Sequence, residues 1–216
     1  MSLHPGLAAV VFDLDGTLLD SFAAQIGSYR LAILDLDGPN YTDAEIVDAF
    51  ALGSASQMMA TLIGRPVGEE AVIRYETHLR SQAAAVSSYP GVEEALATLG
   101  RRFALAVFTA ANTSAAEWLL QAAGLLGSFA SVVGADLVAR TKPSPDGLLL
   151  ACERLGVAPG NAAYVGDAPV DVEAAHASGA LSIMARWGHL YSPEHAGDLT
   201  ADTPDDLVRL LIPELT

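Results

Sequence analysis

Acidic and hydroxyl side chains follow three apolar runs of this sequence, at the point where each run stops. Such runs are typical of buried parallel strands, whose carboxyl ends deliver the next side chains to a common crevice. The side chains concerned are, in chain order, Asp13, Asp15, Thr109, Asp167 and Asp171. A fourth segment, Lys142-Pro143, contributes the only lysine among the 216 residues. The sequence therefore predicts a crevice that combines carboxylates, a hydroxyl group and an ammonium group.

This combination suits phosphoryl transfer, which needs a nucleophile, a proton donor for the leaving oxygen and positive charge around the transferred group. Asp13 ends a predicted strand and is the candidate nucleophile, which would form an aspartyl-phosphate intermediate. Asp15 lies two residues further on, and strand side chains repeat at that interval, so it can face the same crevice. Neighbouring carboxylates would raise the pKa of Asp15, which lets it protonate the leaving alcohol and then accept a proton from water.

The same crevice contains candidates for binding the phosphoryl group. Gly16 allows the chain to turn without a Cβ atom beside the phosphate. Thr109 and the amide after it, at Ala110, can donate hydrogen bonds to the transferred group, and Lys142 can neutralise both its charge and that of Asp13. Thr109 and Lys142 are therefore catalytic candidates as well. Clustered carboxylates also need a cation, and oxygen ligands suit a hard octahedral ion, so we expect Mg²⁺ as the cofactor.

Charge and cysteine content limit the partners of the chain. With 26 acidic and 11 basic residues the formal net charge is -15, which argues against a nucleic-acid or anionic membrane surface as partner. Cys152 is the sole cysteine, which fits a reducing compartment, and the first residues carry no secretion signal, so we expect a cytoplasmic protein. The stretch 103–135 has Glu117 as its only charged residue, but polar residues and glycines interrupt it. We interpret it as strand, helix and strand rather than as a membrane span.

Most of the chain alternates between helical and strand patterns, which predicts an α/β fold with a Rossmann-like parallel sheet and helices on both faces. The predicted strands are 8–12, 103–108, 131–134, 162–165 and 181–185. The predicted helices of this part are 92–99, 114–123, 146–155, 170–177 and 205–211.

A second pattern interrupts the first. Over 22–87 apolar residues recur at helical spacing, and breaks at Gly38-Pro39, Gly53-Ser54 and Gly64-Arg65-Pro66 divide the stretch into about four helices. Thr42-Asp43-Ala44-Glu45 has the form of a capping box. We therefore expect a core domain over 1–20 and 88–216, and an inserted all-helical cap domain over 21–87.

The motifs together resemble the haloacid dehalogenase (HAD) superfamily, and within it the phosphoglycolate phosphatase-like branch, whose helical cap follows the first motif directly. The resemblance rests on Asp13-Leu14-Asp15-Gly16-Thr17-Leu18-Leu19-Asp20-Ser21, then Thr109, then Lys142, and then Gly166-Asp167 with Asp171, in that order.

The resemblance implies a phosphatase that acts on a small phosphorylated metabolite, either a phosphoglycolate-like ester or a sugar phosphate. It also implies that Asp13 and Asp167 bind magnesium through their side chains, Asp15 through its backbone carbonyl, and Asp171 directly or through water. Ala168 stands where many relatives have serine or threonine, and Trp187-Gly188 resembles the closing loop of the family.

Several alternatives stay open at this point. A phosphoglucomutase-like phosphotransferase would share every core residue, and a non-catalytic binding protein could retain the fold. Asp35-Leu36-Asp37-Gly38 is a second acidic motif, but Pro39 follows it where the first motif has a threonine, so we interpret it as a helix end and turn. The predicted cap contains no lysine, which argues against Schiff-base chemistry there. The oligomeric state cannot be deduced from the sequence.

Overall fold

The computed structural model describes residues 6–52 and 54–215. It divides the chain into two compact units, here called the core unit (Met1–Asp20 with Ser88–Thr216) and the helical unit (Ser21–Ser87).

Eight strands and nine α-helices are described. The strands are β1 (Ala9–Phe12), β2 (Leu19–Asp20), β3 (Ser87–Ser88), β4 (Ala104–Phe108), β5 (Ser131–Val133), β6 (Ala162–Gly166), β7 (Leu181–Ala185) and β8 (Leu199–Ala201). The α-helices are α1 (Phe22–Leu34), α2 (Asp43–Asp48), α3 (Ala55–Ile63), α4 (Glu69–Ser81), α5 (Val92–Leu99), α6 (Thr113–Ala122), α7 (Asp146–Leu155), α8 (Pro169–Ser178) and α9 (Pro204–Leu211). Single turns of 3₁₀ helix cover Ala49–Leu52, Ala83–Ala85, Leu126–Ser128, Ala135–Leu137, Pro159–Asn161, Pro193–His195 and Pro213–Leu215.

The core unit is built on a six-stranded parallel sheet with the strand order β5-β4-β1-β6-β7-β8. All four residues of β1 are buried, as expected for a central parallel strand that is covered on both faces. The α/β fold predicted from the alternating pattern is confirmed. The segment that could have been mistaken for a membrane span is indeed β4, α6 and β5, and no helix among the described residues is long and apolar enough to cross a membrane.

The register of the sheet aligns the carboxyl ends of its three central strands. Phe12, the last residue of β1, lies opposite Val107 of β4 and Val165 of β6. The next residues along each strand therefore leave the sheet at the same edge. This is the edge at which ligands bind in open parallel sheets.

One strand of the six-stranded sheet was not predicted, and neither were the two-residue strands β2 and β3. Leu199–Ala201 forms β8 at the edge of the sheet, beside β7. It has only three residues, and its middle residue Thr200 is polar and exposed. A run of this length carries too little apolar pattern to be recognised as a strand.

The helical unit contains α1 to α4, which agrees with the predicted number of helices. The stacked rings of Tyr29 and Tyr75, 4.0 Å apart, join α1 to α4. The capping box predicted at Thr42 is confirmed, because the Thr42 hydroxyl accepts from the Glu45 amide and the Glu45 carboxylate accepts from the Thr42 amide. The break predicted at Gly53-Ser54 lies partly outside the described residues, since Gly53 is not among them.

Candidate active site

Three buried carboxylates meet at the aligned strand ends. Asp13 follows β1, Asp167 follows β6, and Asp171 lies in the first turn of α8. Each offers an oxygen atom, and these atoms all lie within 4.8 Å of one another. The structure thus brings together three of the predicted metal ligands from two strands and one helix.

Lys142 supplies positive charge to this cluster. Its Nζ atom lies 2.7 Å from Oδ1 of Asp171 and 2.8 Å from Oδ1 of Asp13, and only 6% of its side chain is exposed. The contact with Asp171 has the geometry of a hydrogen bond, whereas the contact with Asp13 is an ion pair without that alignment. One ammonium group therefore faces three carboxylates.

Burial and the neighbouring charges shift the pKa values of Asp13, Asp167 and Lys142. Burial raises the pKa of Asp13; Lys142 opposes this rise, and the neighbouring Asp171 and Asp167 add to it. Burial, with Asp171 beside it, raises the pKa of Asp167 to about 7. Burial alone would lower the pKa of Lys142, but Asp13 and Asp171 outweigh that effect and raise it. Its carboxylate neighbours therefore favour the charged form of Lys142, while burial disfavours the charged forms of Asp13 and Asp167.

Two oxygen atoms in the cluster lack a hydrogen-bond partner among the described residues. They are Oδ1 of Asp13 and Oδ1 of Asp167, and both are buried. Oδ1 of Asp13 nevertheless has the Lys142 ammonium group 2.8 Å away, whereas Oδ2 of Asp167, and not its Oδ1, accepts from the Leu190 amide. Buried polar atoms are normally paired, and carboxylate oxygens at this spacing are what a hard divalent cation binds. Asp171 differs from them. Its Oδ1 accepts from Lys142, and its Oδ2 accepts from the Ala168 amide at 3.0 Å.

The loop after Asp13 requires glycine. Gly16 has φ +81°, and its amide donates to the Leu19 carbonyl at 2.9 Å. A Cβ atom at Gly16 would lie 2.7 Å from Oδ1 of Asp167, well inside contact distance. Gly16 therefore lets the backbone approach the carboxylate cluster. Asp15 lies in the same loop and is half-buried.

Thr109 lies at the end of β4 and is buried. Its amide donates to the Val133 carbonyl at 3.0 Å, and its hydroxyl oxygen accepts from the Ala111 amide at 3.1 Å. Because that oxygen accepts from the protein, its own hydrogen is available for a ligand. Ala110 lies between them in a bend and is half-buried.

The segment after β7 also contributes to the site, although its residue types indicate this only weakly. The Leu190 amide donates to Oδ2 of Asp167 at 3.0 Å, and the Trp187 indole donates to the Thr17 carbonyl at 2.9 Å. A Cβ atom at Gly188 would collide with the Asp167 side chain. In the sequence, this segment was indicated only by Trp187-Gly188, which follows the last predicted strand. The Leu190 contact is made by the main chain, so no pattern of side chains indicates it.

The fold and the site can now be compared with known proteins. The family of haloacid dehalogenase-like hydrolases matches residues 7–179, which is most of the chain. The chain belongs to this family. Its resemblance to the phosphoglycolate phosphatase-like branch is thereby confirmed, and it is an enzyme of the phosphatase kind within the HAD hydrolases.

Two curated relatives align over most of their length. N-acetylmuramic acid 6-phosphate phosphatase of Pseudomonas aeruginosa is 31% identical over 95% of this chain and 95% of its own. Phosphoglycolate phosphatase of Xanthomonas campestris pv. campestris is 33% identical over 84% of each chain. Among solved structures, CbbY of Rhodobacter sphaeroides in complex with phosphate has a TM-score of 0.82 at 22% identity, covering 93% of this chain and 96% of that one. At this identity the last similarity shows a common fold.

Proposed function

We propose that this HAD phosphatase hydrolyses a small phosphate monoester with the help of magnesium, through a phosphoryl group held transiently on Asp13. The observation that supports this most strongly is the buried cluster of Asp13, Asp167 and Asp171 around the single lysine. Three buried carboxylates this close together repel one another, and such repulsion is unusual at a site with a purely structural role.

Asp13 is the proposed nucleophile. It lies at the end of the central strand β1, and its amide donates to the Val165 carbonyl at 2.8 Å, which fixes the backbone from which the carboxylate projects. Lys142 beside it counteracts the effect of burial and favours the ionised form that attacks phosphorus. Attack breaks the bond between phosphorus and the ester oxygen and leaves an aspartyl phosphate. Water then releases phosphate and restores Asp13.

Asp15 is the proposed general acid and base. It is less buried than Asp13, and it lies two residues away on the loop that Gly16 turns. It would protonate the leaving alcohol in the first step and accept a proton from the attacking water in the second. The hydrogen bond from the Gly16 amide to the Leu19 carbonyl closes the loop that carries both aspartates, which supports this division of labour.

Magnesium would be held by the side chains of Asp13 and Asp167 and by the carbonyl of Asp15. Oδ1 of Asp167, which is buried without a hydrogen-bond partner among the described residues, and Oδ1 of Asp13, which is buried with an ion pair to Lys142, support the first two assignments. Both oxygens of Asp171 already accept hydrogen bonds, which favours a role for Asp171 through water. When bound, the ion supplies positive charge to the phosphoryl oxygens and to the carboxylates.

The remaining candidates would hold the phosphoryl group. The Thr109 hydroxyl has a hydrogen to donate, and the Ala110 amide follows it in the bend after β4. Lys142 would neutralise negative charge on the phosphoryl oxygens. Gly16 leaves space for the ester because it has no side chain.

The substrate class is a small phosphorylated metabolite. One relative acts on N-acetylmuramic acid 6-phosphate and another on phosphoglycolate, according to their names. We therefore propose either a phosphoglycolate-like ester or a sugar phosphate.

The test is phosphate release from a panel of esters. The panel contains p-nitrophenyl phosphate, 2-phosphoglycolate, sugar phosphates, nucleoside monophosphates and pyrophosphate, each with magnesium chloride and with EDTA. We expect hydrolysis of at least one ester with magnesium, loss in EDTA and recovery when magnesium is restored. The Asp13→Asn protein, purified identically, controls for contaminating phosphatases. Release that survives in this variant, or no release from any ester, would overturn the proposal.

A further inference from the structure

Tyr164 is a buried residue of the core unit that no part of the mechanism above uses. It lies in the middle of β6 and is 1% exposed. Its hydroxyl oxygen lies 2.9 Å from the carbonyl oxygen of Phe108 and 3.2 Å from Oδ1 of Asp171. One hydroxyl group thus reaches the last carbonyl of β4 and the carboxylate in the first turn of α8.

The rings of Tyr164 and Phe108 also flank the ammonium group of Lys142. Nζ lies 5.6 Å from the centre of the Phe108 ring and 5.9 Å from the centre of the Tyr164 ring. The two rings are 5.7 Å apart and inclined by 32°. Aromatic faces at these distances attract a cation and keep water away from it. They form what we call the aromatic seat of Lys142, defined by Phe108 and Tyr164.

Gly147 makes room for this seat. A Cβ atom there would collide with the Phe108 ring, so the first turn of α7 can pack directly on it. Phe108 and Tyr164 belong to one buried cluster that includes Leu148 and Cys152 of α7. Packing against α7 therefore fixes where the two rings lie.

We infer that Tyr164 is a positioning residue: its hydroxyl group fixes Asp171, and Asp171 together with the aromatic seat holds Lys142 against Asp13. The chain of contacts runs from the Tyr164 hydroxyl to Oδ1 of Asp171, and from that atom to Nζ at 2.7 Å. Nζ then lies 2.8 Å from Asp13. The hydroxyl has a single proton, which it shares between Oδ1 of Asp171 and the Phe108 carbonyl, and the latter belongs to the peptide group that leads into Thr109.

A purely space-filling role would not require the hydroxyl group. Phenylalanine would fill the same core volume, and burying a hydroxyl is costly unless it has a partner. Both partners of this hydroxyl belong to the strand ends and to the helix turn that build the site. This inference deepens the proposed function, because it concerns how the phosphate-binding lysine is oriented.

The single lysine gives a direct test. Protein that carries lysine labelled with ¹⁵N at Nζ has one side-chain ammonium signal, recorded without substrate or magnesium. In Tyr164→Phe we expect solvent exchange of the Lys142 ammonium protons to rise by roughly fivefold to tenfold, since one anchoring hydrogen bond is lost. We expect kcat to fall by roughly tenfold or more, with KM for p-nitrophenyl phosphate within about twofold. Cys152→Ala, which weakens the same core cluster without touching the hydroxyl, should leave the exchange rate unchanged.

Phe108→Leu is the second variant, and it tests whether the aromatic seat holds Lys142, including the case in which Tyr164→Phe does not fold. It keeps the hydroxyl group but removes one ring, so the ammonium proton signal should move downfield as ring shielding is lost. An unchanged Lys142 signal in both variants would overturn the inference, and so would exchange that rises equally in Cys152→Ala. Because the signal is recorded without turnover, failure of the proposed activity would leave this test intact.

Discussion

Two regions of the molecule contain the same four residues, Asp-Leu-Asp-Gly, at 13–16 and at 35–38. The first follows the central strand β1 and is followed by a buried threonine, Thr17. The second follows the helix α1 and is followed by Pro39. The composition of the two stretches is identical, but their surroundings are different.

The second stretch ends a helix. The Gly38 amide donates to the Ile33 carbonyl at 2.9 Å, and Asp37 has φ +57°, which lies in the left-handed region. The helix end and turn predicted from the sequence are confirmed. Asp35 lies 2.7 Å from His78 and 3.8 Å from Arg74, with 40% of its side chain exposed. Water screens these exposed contacts, so they contribute little to stability.

The first stretch gains its chemistry from position. Asp13 is buried beside two other carboxylates, so its ionised form is disfavoured and its pKa is raised, although the Lys142 ammonium group opposes this rise. The surroundings of Asp13 therefore depend on the parallel sheet, which brings Asp13 and Asp167 together at neighbouring strand ends, and not on the residues beside Asp13 in the sequence.

The largest expected effect separates the two stretches directly. Asp13→Asn should lower the rate of phosphate release by roughly 10³-fold or more, because it removes the proposed nucleophile. Asp37→Asn should leave the rate within about twofold, since asparagine readily adopts the left-handed conformation that Asp37 has. Steady-state kinetics of the two purified variants provides the measurement. Loss of activity in Asp37→Asn with retention in Asp13→Asn would reverse the assignment.

The second largest expected effect comes from replacing the cation that lies near each stretch, Lys142 for the first and Arg74 for the second. Lys142→Met leaves the three core carboxylates without their ammonium group, and we expect the rate to fall by roughly 10²-fold to 10³-fold. Arg74→Met removes a cation near Asp35 and should change the rate by less than about twofold, because that contact is exposed. Kinetics with saturating magnesium compares the pair. Equal rates for Lys142→Met and the parent would contradict the role of the lysine.

A smaller effect is the dependence of stability on pH. Asp167 has a pKa of about 7 when folded, above its ordinary value, so the folded protein binds the proton more tightly. Without magnesium, the contribution of Asp167 to the free energy of unfolding should therefore be largest below about pH 4 and should fall as the pH rises to about 7. Added magnesium, which competes with that proton, should stabilise the protein increasingly over the same range.

Urea unfolding at about pH 5 and about pH 8, with and without magnesium, measures this dependence. Asp167→Asn is the control, because it removes the titrating group while the overall negative charge remains large. Its magnesium-free stability should vary less with pH than that of the parent. A parent protein that becomes more stable as the pH rises, without magnesium, would contradict the assignment.

The smallest effect belongs to the second stretch. Asp35→Asn removes the carboxylate that contacts His78 and Arg74, and we expect the free energy of unfolding to fall by less than about 1 kcal/mol. The rate of phosphate release should stay the same. A urea titration of this variant beside the parent checks the value, and a loss of several kcal/mol would show that the exposed contacts matter more than we infer.

Much of the fold could be predicted from the sequence. The helices over Val92–Leu99 and Asp146–Leu155 begin and end where the apolar periodicity predicts, because their burial follows helical spacing. The sequence also identified the acids and the lysine that meet at the strand ends. Their meeting depends only on the parallel sheet, and the alternation of elements predicted that sheet.

Other parts of the site could not be predicted. Tyr164 lies within an apolar strand, where its ring is indistinguishable from other core residues until the partners of its hydroxyl are known. The Leu190 amide binds Asp167 through the main chain, which leaves no trace in residue types. The roles of the individual site residues stay predictions.

The most direct test of the central claim traps the phosphoryl group on its residue. Enzyme mixed with substrate is quenched during turnover and reduced with borohydride, which converts an aspartyl phosphate to homoserine, and peptides are then mapped by mass spectrometry. We expect homoserine at position 13 in the parent protein and at no aspartate in Asp13→Asn. Homoserine at position 15 or 37, with Asp13 unmodified, would contradict it.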